Sequence, residues 1–344
     1  MKTVDRISIL IPAYRNAHLL KRCLDSLAAS FHGELPEVVV VDDSPGDAET
    51  RQVVGGFAKC GIKFTVMREN GGFAGACNAG LPLCTREFVV LVNTDIIFCD
   101  EPFTSMLDFM DAHPKVGICQ GTVVIKDGRE ADGKLNGCGA FLTRFGVNTS
   151  VGWLAEADDP CAKEARKCFA AYGALFMIRR EMLASLGGTL FHGFFHSYYE
   201  EVDLCHRAWL AGWEVWYVPT PVVGHIHGAS TWKFIPREDI LRRFYRNIRF
   251  SYLTCFGVRR LLTIYPTFEL LAAGQALLPL FRWNATHLRA HLWALGSLLS
   301  MAGKIWRTRR HIQRDRKIGE KELMKIIGRP YPLKEFLNSV RCSM

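Results

Sequence analysis

Two clusters of acids, a run of glycines and a late histidine are the residues whose types and spacing can do chemistry in this 344-residue chain. Asn93-Thr94-Asp95 directly follows the apolar run Val89-Val90-Leu91-Val92. A carboxylate at a strand end, beside another oxygen donor, suits a hard cation such as Mg²⁺ or Mn²⁺. Such a cation would neutralise a diphosphate leaving group. Read alone, the triplet also fits a structural Asx-turn. Asn70-Gly71-Gly72-Phe73-Ala74-Gly75-Ala76-Cys77-Asn78 opens a helical pattern. Glycines let a backbone approach a ligand closely, and a helix N-terminus favours anions. Tyr198-Tyr199-Glu200-Glu201-Val202-Asp203 heads a second helical pattern that stops at Gly212. Its acids either complement the helix dipole or supply a carboxylate base. His225 and His227 follow an apolar run. Two apart in extended backbone, they point to opposite faces and do not share a metal.

Several chemistries fail on spacing. A dinucleotide fingerprint needs Gly where Asn70 stands, which argues against a nicotinamide or flavin enzyme. The first strand turns through Pro12-Ala13-Tyr14-Arg15-Asn16 without a Gly, which argues against a nucleotidyltransferase with its phosphate loop there. His192 and His196 are four apart, but Gly193-Phe194-Phe195 is a poor helix for a zinc hydrolase.

The elements that position these residues alternate. Strands are predicted at residues 7–11, 38–41, 63–67 and 88–92, with helices at 19–29, 48–59 and 72–83. Leu20, Cys23, Leu24 and Leu27 carry the helical period of the first helix. Continuous Val/Ile runs between helices predict an α/β fold with a mostly parallel sheet covered on both faces. Ligands bind at the carboxyl ends of such strands. Asp42-Asp43, the Gly-rich loop and Asn93-Thr94-Asp95 should therefore meet in one crevice. Residues 126–170 resist assignment, and Tyr172-Gly173-Ala174 is expected to open one wall of a site.

The 12 cysteines form no C-x-x-C pair and read as buried free thiols in a reducing compartment. Residues 7–11 are too short an apolar run for a signal peptide and stop at Pro12. Charge divides the chain: residues 1–231 hold 21 Lys+Arg against 27 Asp+Glu, and residues 232–344 hold 22 against 7. The basic part should seek an anionic surface.

Taken in order, the motifs resemble glycosyltransferase family 2, more narrowly the bacterial rhamnosyltransferases and galactofuranosyltransferases of surface polysaccharides. The resemblance covers about residues 6–230, and the basic tail is similar too. It implies a GT-A catalytic domain over residues 1–231 and a basic C-terminal helical region over 232–344. It assigns Pro12, Tyr14 and Asp42 to nucleotide base and ribose, with Asp43 able to replace Asp42. Gly71, Gly72, Phe73, Gly75 and Asn78 would line the donor site, joined by Asn93 and Thr94. Many members carry Asp where this chain has Asn93, which leaves Asp95 as the main protein ligand to Mg²⁺ or Mn²⁺.

Glu200-Glu201 stands where the family has an acidic pair, often Glu-Asp, and its second member, Glu201, is the base candidate. Asp203 completes the catalytic acids, whose retention argues against a catalytically silent scaffold. His225 lies 24 residues beyond Glu201, where related galactofuranosyltransferases place a metal-binding His, and His225-x-x-Gly228-x-Ser230 fits the local pattern. The implied reaction is a single displacement with inversion. Glu201, near a helix N-terminus, is expected to be ionised at pH 7.

The implied donor is a deoxythymidine-diphosphate sugar, rhamnose first, or a uridine-diphosphate sugar. The implied acceptor is a saccharide, free or polyprenyl-diphosphate-linked. Residues 242–250 interleave arginines with aromatics, and the apolar runs 261–281 and 292–306 are poor membrane spans. Amphipathic helices in the interface fit better, with Lys304, Arg307, Arg309, Arg310, Arg314, Arg316 and Lys317 toward anionic lipid. An ordinary helical subdomain or a homo-oligomer interface is the competing reading. No nucleic-acid motif accompanies the charge. The expected place of work is the cytoplasmic face of a membrane, held peripherally.

Overall fold

The Val/Ile runs become central strands, because residues buried on both faces need no polar alternation. In the computed structural model, which describes residues 2–126, 130–226, 235–277 and 284–329, the expected alternation is present. β1 (Ile7–Ala13), α1 (Ala17–Ser30), β2 (Glu37–Asp42), α2 (Ala48–Gly55), β3 (Lys63–Val66), α3 (Gly72–Gly80) and β4 (Phe88–Val92) follow in turn. The helix predicted over 48–59 stops at Gly55, and a separate 3-10 turn covers Ala58–Cys60. Leu20, Cys23, Leu24 and Leu27 of α1 are all fully buried. Burying one such leucine contributes about 1.5–3 kcal/mol.

The middle of the chain supplies β5 (Ile96–Phe98), α4 (Phe103–Ala112), β6 (Val116–Gln120), β7 (Val123–Ile125), β8 (Ala140–Thr143), β9 (Asn148–Ser150) and β10 (Arg166–Lys167). It continues through β11 (Leu175–Arg179), α5 (Arg180–Ser185), α6 (Glu200–Leu210), β12 (Glu214–Tyr217) and β13 (Val223–His225). The main sheet runs β10-β12-β6-β11-β4-β1-β2-β3. β3, β2, β1 and β4 are parallel, so the turns after β1, β2 and β4 emerge at one edge. β11 runs antiparallel to β4, with Leu175 opposite Val92. That reversal brings Tyr172-Gly173-Ala174, just before β11, to the same edge. A small sheet, β5-β13-β7, pairs His225 with Ile96 and so sets it beside Asp95.

The C-terminal part contains α7 (Arg237–Cys255), α8 (Val258–Leu277), α9 (Thr286–Ser300), α10 (Ala302–Arg314), α11 (Glu320–Ile327) and a short β14 (Gly328–Arg329) paired with β8. The boundary expected at 231/232, with the Gly228-x-Ser230 pattern and His227, lies outside the described residues. Ile248, Phe250 and Tyr252 of α7 join the same apolar cluster as Leu10 and Val39 of the sheet. The arginine-aromatic run therefore faces inward as well as outward. Arg249 is fully buried and grips both oxygens of Glu269, at 2.8 Å each, tying α7 to α8.

The 292–306 run is two helices, broken at Met301. Two of the seven arginines and lysines assigned to lipid are turned inward instead. Arg309 donates to the carbonyls of Leu253 and Phe256, satisfying orphan acceptors at the end of α7. Arg316 donates to the Ile318 carbonyl. Lys304, Arg307, Arg310, Arg314 and Lys317 remain exposed. Among the described residues, no helix is long and apolar enough to cross a membrane.

Candidate active site

A cavity of about 820 Å³ opens at the carboxyl edge of the sheet. The end of β1 and the turn after it lend Pro12, Tyr14 and Asn16; the turn after β2 lends Asp43. The Gly-rich loop contributes Asn70, Gly72 and Phe73, and the turn after β4 contributes Asn93 and Thr94. Tyr172, Gly173 and Ala174 do form one wall, facing Glu200, Glu201 and His225. The three turns expected to converge are thus one surface. Asn16 ties the turn after β1 to the turn after β4 by donating its side-chain amide to the Thr94 hydroxyl.

The two aspartates after β2 separate. Asp42 is fully buried, accepts from Ser44 N–H at 2.9 Å and does not line the cavity. Asp43 lines it and accepts from Gly71 N–H at 2.7 Å. Burial pushes the Asp43 carboxyl up to about 6, despite the stabilising Gly71 and Gly72 N–H groups. Gly71 and Gly75 lie behind the lining, while Gly72 is forced to be glycine. It sits at φ +68°, and a Cβ there would collide with the His196 ring. Asn78 does not reach the cavity: its amide donates to the Phe191 carbonyl at 2.8 Å and accepts from Phe191 N–H at 3.1 Å. Its role is to fasten the 190s loop to α3.

The acidic pair opens α6. Glu200 is 5% exposed, and its Oε2 has no hydrogen-bond partner among the described residues. Glu201 is half-buried over Gly173, where a Cβ would lie in van der Waals contact with the carboxyl group at 3.4 Å. Burial raises the affinity of both carboxyls for a proton, and repulsion by Glu201 adds to this for Glu200. The low pKa expected for Glu201 from the helix N-terminus is therefore corrected: desolvation outweighs the dipole. Asp203 points elsewhere. It is fully buried, 2.8 Å from Arg207 Nε and 3.5 Å from His192 Nε2. Burial would raise its pKa, but those partners carry it below the carboxylate range. It is a core ion pair outside the cavity lining.

Asp95 is 3% exposed, and its Oδ1 lies 3.3 Å from His225 Nε2. One oxygen and one nitrogen donor side by side suit a borderline divalent cation. Behind His225, Asn136 Nδ2 stands 3.3 Å from Nδ1, and Asn136 Oδ1 has no hydrogen-bond partner among the described residues. An amide flip lets that oxygen accept from Nδ1–H, which frees the Nε2 lone pair for a metal. The residues fit an Mg²⁺ or Mn²⁺ site with two protein ligands. Among the described residues, no group of three or more His, Cys, Asp and Glu converges.

Reasoning from sequence missed three contributors. Asn136 lay in the unassigned stretch. His196 was set aside with a zinc reading. The third is α7: Asn247 Nδ2 reaches the carbonyls of Phe195, Ser197 and Tyr198 within 2.7–3.1 Å, and Arg246 reaches those of Phe194 and Phe195. Asn247 and Arg246 thus hold the segment that leads into Glu200. Its strain shows why: His196, Tyr198 and Tyr199 all have φ between 63° and 74°.

The sheet, its switch of strand direction at β11 and the cavity at its carboxyl edge define a GT-A-like α/β fold. Solved structures agree. GalNAc-T7, crystallised with UDP, GalNAc and Mn²⁺, superposes on 77% of this chain and 54% of its own with TM-score 0.55 at 14% identity. The mannosyltransferase PcManGT of Pyrobaculum calidifontis, in complex with GDP-Man and Mn²⁺, covers 98% and 84% with TM-score 0.52 at 17% identity. The family model described as Glycosyl transferase family 2 matches residues 8–187, just over half of the 344 residues, and the chain belongs to that family.

Among curated relatives, the pre-mycofactocin glycosyltransferase of Mycobacterium tuberculosis is 27% identical over 232 residues, 67% of this chain and 45% of that protein. The amylovoran biosynthesis glycosyltransferase AmsE of Erwinia amylovora is 31% identical over 122 residues, 35% and 45% of the two chains. The chain spans less than half the length of these relatives.

Proposed function

We propose that this chain is an inverting glycosyltransferase that moves a sugar from a nucleoside diphosphate to an acceptor hydroxyl. The observation that carries this reading is the meeting, in one cavity, of the acidic pair on α6 with His225, whose Nε2 lies 3.3 Å from Oδ1 of Asp95 behind the lining. Asp43, Tyr14 and Pro12 face the nucleoside from the turns after β1 and β2. Asp95 and His225 would hold a divalent cation, which when bound would offset the charge of the departing diphosphate. Burial raises the proton affinity of both members of the pair, and repulsion by Glu201 adds to this for Glu200; Glu201 is the member that works as the base, in its ionised form. Glu201 takes the acceptor's hydroxyl proton as that oxygen bonds to the anomeric carbon. The bond from that carbon to the phosphate oxygen breaks, and its electron pair leaves on the diphosphate. A raised pKa makes Glu201 a stronger base than an exposed carboxylate.

Rhamnose on deoxythymidine diphosphate is the first donor to test, and a uridine-diphosphate hexose or galactofuranose the second; this order rests on the sequence resemblance. The acceptor is a saccharide, free or polyprenyl-linked, of the kind used in surface polysaccharide synthesis. Support for a lipid-linked acceptor comes from the far arm of the cavity. Phe244, Ile248, Phe268, Leu271 and Ala272 give it an apolar lining from α7 and α8. Outside that arm, Leu262 and Leu270 of α8 are 73% and 74% exposed, Leu299 of α9 is 81% exposed and Trp306 of α10 is 67% exposed. Together with the exposed lysines and arginines of α10, these apolar side chains give the C-terminal helices a composition that suits an anionic lipid surface.

The test is a thermal-shift screen of thymidine, uridine and guanosine diphosphates and their sugars, with and without Mn²⁺. Metal-dependent stabilisation by one nucleotide supports the proposal and selects its donors. A folded chain that none of them stabilises contradicts it.

A further inference from the structure

His196 sits at the centre of a γ-turn, with φ 63° and ψ −68°, closed by a Ser197 N–H bond to the Phe195 carbonyl at 2.7 Å. Positive φ at the centre of such a turn is rare and strained for a residue with a Cβ. Four contacts hold it there. Its carbonyl accepts from Ala74 N–H in the first turn of α3 at 2.9 Å, and Asn247 and Arg246 bind the Phe195 carbonyl before it. Asn247 also binds the Ser197 carbonyl after it. The ring packs against Gly72, where even a Cβ would not fit, and it lines the cavity beside the Gly-rich loop.

Its tautomer is fixed by chemistry. Arg243 Nη1 lies 3.0 Å from His196 Nδ1. A guanidinium can only donate, so Nδ1 accepts and the ring proton resides on Nε2. The hydrogen bonds of the ring among the described residues all run through Nδ1. Nε2–H is left as a donor for whatever fills the cavity. The charges facing the ring come from α7, namely Arg243 and Arg246; Gly72 and Ala74 of α3 do not titrate. Neither arginine has a carboxylate within ion-pair distance among the described residues. Their field favours an anion at the open end of α3.

We propose that His196 binds a phosphate oxygen of the nucleoside diphosphate through a neutral Nε2–H, with Arg243 as the positioning residue that fixes the tautomer. This rests on the glycosyltransferase reading above and adds a binding residue to it. Burial, then the charges of Arg243 and Arg246, push the imidazole down to about 4, so the ring works uncharged at physiological pH.

The experiment titrates wild type, His196→Gln and His196→Ala with thymidine or uridine diphosphate, whichever the wild type binds, and with the bare nucleoside, from pH 5.5 to 8. Gln replaces the Nε2–H donor without charge. His196→Ala should weaken diphosphate binding about tenfold or more, and His196→Gln only a few-fold. All three chains should bind the nucleoside alike, which also confirms that the variants are folded. The ratio of wild-type to His196→Ala affinity should stay constant across the pH range. Unchanged diphosphate binding by His196→Ala overturns the proposal. So does a ratio that climbs as pH falls through about 6.5, which would mean a cationic ring. If the wild type binds no nucleoside diphosphate at all, the glycosyltransferase reading fails first and this proposal with it.

Discussion

Asn247 donates its side-chain amide to the Tyr198 carbonyl at 2.7 Å, so a helix of the basic C-terminal region fixes the backbone two residues before Glu200. Tyr198 and Tyr199 both have positive φ, and a segment so strained keeps its shape only when its surroundings over-determine it. Replacing Asn247 with Leu leaves the Ser197 and Tyr198 carbonyls short of a donor, while the Phe195 carbonyl keeps Arg246, at a cost of roughly 1–3 kcal/mol. Asn247→Leu should lower Tm and reduce kcat, because the segment leading into Glu200 is displaced, and should weaken nucleoside-diphosphate binding only through His196, since the turns after β1 and β2 are untouched. Differential scanning fluorimetry and steady-state kinetics check both halves.

Glu201→Gln should lower turnover by about 10²–10⁴-fold, the usual share of a general base, while nucleoside-diphosphate affinity stays within a few-fold. Release of nucleoside diphosphate from the sugar donor in the presence of acceptor is the readout. The pH profile of kcat/KM should fall on its acid side above the ordinary carboxylate range, since burial raises the pKa of the pair. An acid limb near 4, where a free Glu titrates, would mean that an exposed carboxylate is the base.

Asp43 should trade stability for binding. Its folded-state pKa, about 6, lies above that of an unfolded Asp. The folded chain therefore holds this proton more tightly. The stability it gains is fully present below the unfolded pKa and is lost as pH rises through about 6. Asp43→Asn removes a buried charge at pH 7.5 while its amide oxygen can still accept from Gly71 N–H. Tm should rise at that pH, with less gain at pH 5, and nucleoside affinity should fall. Melting curves at both pH values and calorimetry test the two signs.

Much of this was legible in the sequence, and the gaps have a physical pattern. Unbroken Val/Ile runs and the Leu20–Cys23–Leu24–Leu27 spacing report burial directly, so the parallel strands and α1 were readable. The turns after β1, β2 and β4 could be placed at one edge because parallel strands share a direction. Which way a side chain turns at such an edge is not periodic. Asn78, fastened to Phe191, and Asp203, paired with Arg207, carry motif positions but turn away from the cavity. Charge counting treats every arginine alike, yet Arg249 lies in the core with Glu269 as its partner. Helix position alone said that Glu201 should be ionised; only the packing around it reveals the desolvation that prevails.

The exposed leucines should matter to lipid and not to folding. Leu270→Glu combined with Leu299→Glu changes two solvent-exposed positions, so Tm should move little. Co-sedimentation with vesicles containing phosphatidylglycerol should drop sharply, and vesicles of phosphatidylcholine alone should bind the wild type weakly. Loss of a dimer on size-exclusion chromatography with light scattering, without a change in vesicle binding, would assign the face to a second copy instead.

The central claim is that Asp95 and His225 hold a divalent cation that holds the donor's diphosphate. Calorimetric titration of the selected nucleoside diphosphate into wild type, Asp95→Ala and His225→Ala, each with Mn²⁺ and with chelator, tests it most directly. The account predicts that Mn²⁺ tightens wild-type binding by about tenfold or more, that Asp95→Ala abolishes that gain, and that His225→Ala reduces it. Equal affinity with and without Mn²⁺ in the wild type, or a full metal gain in Asp95→Ala, would contradict it.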